Sequence, residues 1–288
     1  MITRLLAAND ASFASLPPTP TFDFDAAVAD AAIPSALPLP VSNPLPQLRA
    51  FSALTFTKSL VTPLPPGLNR QHQIVGYAGA PIAALTFQVS LVVSAHEETV
   101  EELYCSVSQW ARGELTPVIK ECAGARDPKV LLWAISTYQP LALKRAKVWA
   151  RLCWRYPGLL PQYAPGSKRI SKKAKAKAKA HKPSPREINA LLGERVLCFR
   201  PRSAGKGDKG KRSLEFVVRW SIGVDEVGEA VSTVDGDARV PGVWTQIDAD
   251  GNLARVAPLF KDLVAERGVF EAVKCMVGLL FPHEEPRE

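Results

Sequence analysis

Ala84-Leu-Thr-Phe-Gln-Val-Ser-Leu-Val-Val-Ser94 is the stretch on which the fold turns. Leu85, Phe87, Val89 and Leu91 occupy alternate positions with Thr86, Gln88 and Ser90 between them. That period of two belongs to a strand with one buried face. Upstream, Ala53–Lys58 alternates in the same way, and Ile74–Ala78 follows a Pro-Pro-Gly turn at Pro65–Gly67. Downstream, Val100–Val107 fits a fourth strand or a short helix. The period then lengthens, and Ser108–Cys122 and Pro128–Tyr156 are expected as helices. The second carries Leu132, Ile135, Leu143, Trp149, Leu152 and Tyr156, and Pro140 should kink or split it.

The same order recurs further along. Ser184 or Pro185 opens a short helix through Leu192, and Arg195–Arg200 reads as a strand. Lys206–Arg212 reads as a hairpin loop. Leu214–Val224 is the longest strand of this half, with Leu214, Phe216, Val218, Trp220 and Ile222 alternating. Val243–Ile247 is expected as a further short strand. Leu253–Phe281 closes the chain as helix, with Val256, Leu259, Phe260, Leu263 and Val264 before Gly268 and Phe270, Val273, Val277 and Leu280 beyond it. Strands followed by helices, twice over, predict an α+β protein of two tandem units, each a small antiparallel sheet packed against helices. The strand–helix alternation of a doubly wound nucleotide-binding fold is not there.

Between the halves lies the chain's charge. The 288 residues carry 36 Lys and Arg against 28 Asp and Glu, a net +8. From Ser167 to Lys182 stand eight basic residues and no acid: Lys168, Arg169, Lys172, Lys173, Lys175, Lys177, Lys179 and Lys182. This tract accounts for the whole excess, so the remainder of the chain is neutral. A basic surface spread over the whole fold, as expected of a protein that coats DNA, is thereby disfavoured. Lysines alternating with alanine neutralise phosphates without reading sequence. The Lys-Arg and Lys-Lys pairs also suit a nuclear import signal, and a plain solvated spacer remains a third reading.

These features divide the chain into a leader over 1–48, a first unit over 49–157, a basic Lys/Ala linker over 158–185, a second unit over 186–282 and a short tail over 283–288. The leader holds eight prolines and three aromatics, Phe13, Phe22 and Phe24, and is expected to be extended, since repeated X-Pro steps oppose helix and sheet alike. No apolar run is long enough for a membrane span, and the N-terminus is too weakly apolar for a secretory signal. Five widely spaced cysteines, Cys105, Cys122, Cys153, Cys198 and Cys275, have no CxxC spacing and read as reduced core thiols.

Three segments resemble chemical motifs and fall short of them. Gly205–Ser213 has the spacing of a phosphate loop, but Arg212 stands where Ser or Thr must hold Mg²⁺, and a strand follows where a helix is needed. Asp248-Ala-Asp250-Gly-Asn252 opens like a calcium loop, yet its glycine comes early and Leu259 replaces the closing Glu. The four histidines (His72, His96, His181, His283) are scattered, and none pairs with a nucleophile. No enzyme activity, cofactor or metal is expected. Trp110, Trp149, Trp220 and Trp244 are expected either in the core or facing a partner, as is Trp133.

Several short motifs resemble the centromere protein P (CENP-P) family. In the first half these are Leu54-Thr-Phe-Thr-Lys58, Gly76-Tyr77, Phe87-Gln-Val89 and Trp110-Ala-Arg-Gly-Glu114-Leu115. In the second they are Val218-Arg-Trp220-Ser-Ile222 and Asp225-Glu-Val-Gly228-Glu-Ala. The resemblance implies two tandem RWD domains and a non-catalytic adaptor of the inner kinetochore in the nucleus. It further implies a heterodimer with a CENP-O-like subunit and assembly with CENP-Q/CENP-U-like subunits. The basic tract by itself, apart from the resemblance, offers the alternative of a nuclear protein that contacts DNA through the linker.

Overall fold

Four strands run antiparallel in sequence order: β1 (Leu54–Pro63), β2 (Arg70–Ala78), β3 (Leu85–Val93) and β4 (Val100–Val107). They belong to a computed structural model that describes residues 53–64, 69–80, 83–94, 99–163, 183–201, 214–240 and 251–282. Val100–Val107, ambiguous in sequence, is strand. The alternation of β3 places Leu85, Phe87 and Val89 in the core, and one row, Phe56, Gly76, Phe87 and Val107, crosses all four strands. Phe56 and Phe87 meet edge to face with centroids 6.0 Å apart. Gly76 makes room for them, since a Cβ there would lie 2.6 Å from the Thr55 carbonyl and 2.7 Å from the Phe87 ring.

Two helices cover this sheet. α1 (Gln109–Ala125) starts after Ser108, whose hydroxyl bonds Thr86 on β3 and so ties the helix to the sheet. A left-handed Arg126 (φ 58°) turns the chain into α2 (Pro128–Arg155), where the Asp127 carboxylate accepts the N–H groups of Lys129 and Val130 and Pro128 begins the helix. Pro140 does not split α2, which runs 28 residues, or about 42 Å at 1.5 Å per residue. The proline is exposed, so its ring meets water and not the core. The buried stripe of α2 also differs from the purely apolar one expected. Leu132 and Leu143 are only partly buried, while Tyr138, Gln139 and Arg145 lie inside it.

After α3 (Pro185–Leu191), capped by a reciprocal Ser184–Glu187 box, comes a second sheet in the order β5 (Val196–Phe199), β6 (Glu215–Val224), β7 (Ala230–Arg239). Phe216, Val218, Trp220 and Ile222 are buried as their alternation demands, and Val217 is buried on the other face. β7 was not foreseen: Asp235, Gly236 and Asp237 interrupt its apolar pattern. Gly236 is needed there because the Phe260 ring of α4 would overlap any Cβ. The closing helix expected over Leu253–Phe281 is not continuous: α4 (Val256–Leu280) follows a short 3-10 turn and breaks at Gly268, whose left-handed backbone (φ 77°, ψ 165°) is non-helical. The expected strand at Val243–Ile247, the loop at Lys206–Arg212, the leader, the tail and residues 164–182 of the basic linker lie outside the described residues. The linker's first residues are not a spacer: Leu159 and Leu160 are buried in the core of the second sheet, and Ser184 and Pro185 already belong to the start of α3.

The protein is thus a mixed α+β fold whose described residues form two small antiparallel sheets and four helices. The described residues all lie within one compact unit. α2 serves both sheets. Leu131, Ile135, Tyr138 and Ala142 join the core of the first sheet, and Ala146, Trp149, Leu152 and Cys153 join that of the second.

Candidate functional site

Where α1, α2 and β6 meet, an ion pair is buried. Arg145 of α2 has no exposed surface and grips Glu114 of α1 with both terminal nitrogens: Nη1 to Oε1 at 2.8 Å and Nη2 to Oε2 at 2.7 Å. The Tyr138 hydroxyl donates to Oε2 at 2.7 Å, and the backbone N–H of Ile222 donates to Oε1 at 2.9 Å. Arg145 also donates to the carbonyls of Trp220 (2.8 Å) and Leu192 (3.2 Å).

This cluster does the work of a strand. β5 pairs with β6 only as far as Arg219, after which the N–H of Trp220 reaches the carbonyl of Arg195. In an antiparallel strand the N–H and C=O of residues two apart point to the same edge. The next two groups on that edge, the carbonyl of Trp220 and the N–H of Ile222, are taken by Arg145 and Glu114. The pair therefore continues the edge that β5 leaves open and closes it to pairing with another chain. On the other side of the sheet, the Ala230 N–H that opens β7 donates to Thr137 Oγ1 of α2 at 3.0 Å.

Electrostatics follow the geometry. Burial alone would raise the Glu114 carboxyl, but the hydrogen bonds from Arg145 and Tyr138, the Arg145 charge and the Ile222 N–H outweigh it and hold it below the ordinary value. Burial, together with the Glu114 charge, pushes the Tyr138 phenol up. Burial also pushes the thiols of Cys105 and Cys153 up to about 12, so both are protonated at neutral pH and act as small apolar groups rather than nucleophiles. Among the described residues no three His, Cys, Asp or Glu side chains converge as metal ligands, and no helix is long and apolar enough to cross a membrane.

The aromatics singled out in sequence divide. Trp149 and Trp220 are core residues, packed edge to face at 5.5 Å, and Trp149 donates to the Glu194 carbonyl at 2.9 Å. Trp110 is half-buried and stacks on Tyr138 at 6.1 Å. Trp244 and all eight basic residues, Lys168 to Lys182, lie outside the described residues. Trp133 is the outlier, 51 % exposed on the outer side of α2. Sequence reasoning did not single out Arg145 or Tyr138. The one signal was their spacing, seven residues apart on a helix with an acid on the helix before.

Around Trp133 the surface is concave on two sides. On one, Leu54, Pro128, Lys129, Leu132, Trp133 and Ser136 line a groove of about 470 Å³. On the other, a smaller cleft of about 140 Å³ lies between the α1–α2 junction and the β6–β7 turn, and Glu121, Asp127, Asp225 and Glu226 contribute its charge. Compared with known proteins, the chain matches no family model and no curated protein.

Proposed function

We propose that this chain is a non-catalytic adaptor of the inner kinetochore, built from two tandem RWD-like units and paired with a CENP-O-like subunit. The observation that carries this reading is the doubled order of strands then helices, each half forming one small antiparallel sheet with a face on helices. The motifs that resemble the CENP-P family fall on structural positions. Gly76 lies beneath Phe87, Glu114 opens the buried ion pair, Trp220 lies in the core, and Gly228 in the β6–β7 turn has a left-handed φ of 87°. Association with CENP-Q/CENP-U-like subunits, and residence at the centromere in the nucleus, belong to the same reading. An adaptor works by presenting surfaces. Exposed Trp133, Val227, Leu279 and Tyr104 are large apolar groups of the kind a partner covers.

Co-expression with a CENP-O-like subunit should give a stable one-to-one complex on size exclusion. A well-behaved monomer that ignores that partner would sink the reading. A second reading, nucleic-acid binding through the linker, is favoured by one observation: the entire net charge of +8 sits between Lys168 and Lys182. Replacing those basic residues by Gln should then abolish both DNA binding and its salt dependence. DNA affinity that is unchanged by the replacement, or absent from the outset, excludes it.

A further inference from the structure

The backbone that carries the exposed tryptophan of α2 is braced. The Trp133 carbonyl accepts the hydroxyls of Ser136 (2.7 Å) and Thr137 (3.0 Å), and Thr137 in turn receives the Ala230 N–H of β7. The β6–β7 turn is seated directly against this helix. A Cβ on Gly228 would lie 2.8 Å from Val130 Cγ1 and 3.5 Å from Trp133 Cδ1, so the glycine permits close approach as well as the left-handed backbone. The turn is internally braced as well. Asp225 accepts the N–H groups of Val227 (3.1 Å) and Glu229 (2.8 Å), and the Asp225 N–H donates to the Glu229 carbonyl at 2.9 Å. At its tip Val227 is 70 % exposed. Two large apolar side chains thus stand at the surface on backbone that does not need to reorganise, which lowers the ordering cost of binding.

Charge beside them is one-sided. Among the described residues, the cleft between the turn and the α1–α2 junction is lined by four carboxylates and no basic side chain, and Lys129 is the one basic residue lining the groove on the other side. Asp127 and Asp225 are committed to backbone N–H groups, which leaves Glu121 and Glu226 to reach an incoming cation. A second copy of this chain docking with its two-fold axis through the cleft would set the same carboxylates against each other, so that symmetric arrangement is opposed.

We propose that the ridge of Trp133 and Val227, with its groove and acidic cleft, is the docking surface for a segment of a partner protein that carries a large apolar side chain flanked by Lys or Arg. The apolar side chain fills the groove against Trp133 and Leu54, and the flanking cation meets Glu121 and Glu226. This rests on the adaptor reading only in requiring a protein partner.

The test uses the full-length chain and three short fluorescein-labelled peptides read by anisotropy. One has Leu and Phe anchors flanked by Lys, a second is the same peptide with Glu for Lys, and a third keeps Lys but has Ala for the anchors. The Lys-flanked, anchored peptide should bind at least about tenfold more tightly than either of the others, and its affinity should fall with added salt. Trp133→Ala, at an exposed helical site, should weaken it about tenfold or more with the melting temperature unchanged. Glu226→Lys should weaken it and strengthen the Glu-flanked twin. Equal binding of the Lys and Glu peptides, no binding of any, or indifference to Trp133→Ala overturns the proposal. A dimer of the chain that Trp133→Ala dissolves also overturns it, in favour of self-association. Co-expression of the unaltered chain with the CENP-O-like subunit decides the adaptor reading separately. A complex without peptide binding removes this surface alone, and peptide binding without a complex removes the adaptor alone.

Discussion

Burying Arg145 and Glu114 together takes two full charges out of water, a cost that only close geometry and complete hydrogen bonding offset. The geometry here is bidentate, and the carboxylate is further held by Tyr138 and Ile222. Arg145 Nε finds no acceptor among the described residues, so the arginine's own network is incomplete. Breaking the pair and replacing it should therefore differ. Arg145→Met leaves a buried carboxylate beside no cation and should cost about 3–5 kcal/mol in urea denaturation, whereas Glu114→Leu with Arg145→Met should recover a large part of that loss. A double variant as unstable as the single one would show that the pair's value lies in the edge groups of β6 that it satisfies. Acid should act at the same place. Glu114 has a folded value below its ordinary 4.5, so its contribution is complete at neutral pH, begins to fade as pH falls through about 4.5 and is gone below the folded value. Urea midpoints followed from pH 7 downward should fall more gently in the double variant than in the unaltered protein. Parallel curves would remove Glu114 from the acid response.

At the scale of elements, glycines decide where layers come close. In β2, Gly76 faces the helices beneath the Phe87 ring, and a Cβ there would press on backbone as well as side chain. Gly76→Ala should destabilise by about 1–3 kcal/mol, through forced displacement of the Phe56–Phe87 pair. Gly223→Ala in β6 is the control: nothing lies within 4 Å of its would-be Cβ and its φ is not positive, so its stability should change by no more than about 0.5 kcal/mol, or improve slightly. Equal losses at the two sites would mean that strand propensity, not packing, sets the requirement. Elements also show where pattern suffices. Strands β3 and β6 were recognisable because one face of each is buried, so alternation survives in the sequence. β7 was not, because its Asp and Gly residues fit an edge that meets solvent on one side and the Phe260 ring on the other. The helix pair was recognisable too, but continuity across Pro140 was not, since only burial shows that this proline faces water.

For the molecule as a whole, α2 joins two hydrophobic clusters along a single helix, and the ion pair links α1, α2 and β6 between them. Neither sheet can lose its cover without disturbing the other's, so the described layers should unfold together. Calorimetry of the full-length chain is expected to show one transition with equal calorimetric and van't Hoff enthalpies. Two resolved transitions would show that the helix can serve either sheet alone. The sequence by itself determined the α+β class, the doubled order of strands and helices, and the confinement of net charge to one tract. Those properties are written in local periodicity and composition, which each residue carries wherever it sits. Only tertiary structure decided that Arg145 and Glu114 form an edge for β6 and that Trp133 turns out. These depend on side chains separated by tens of residues along the chain, and a helix face becomes core or surface only when the layer that covers it is in place.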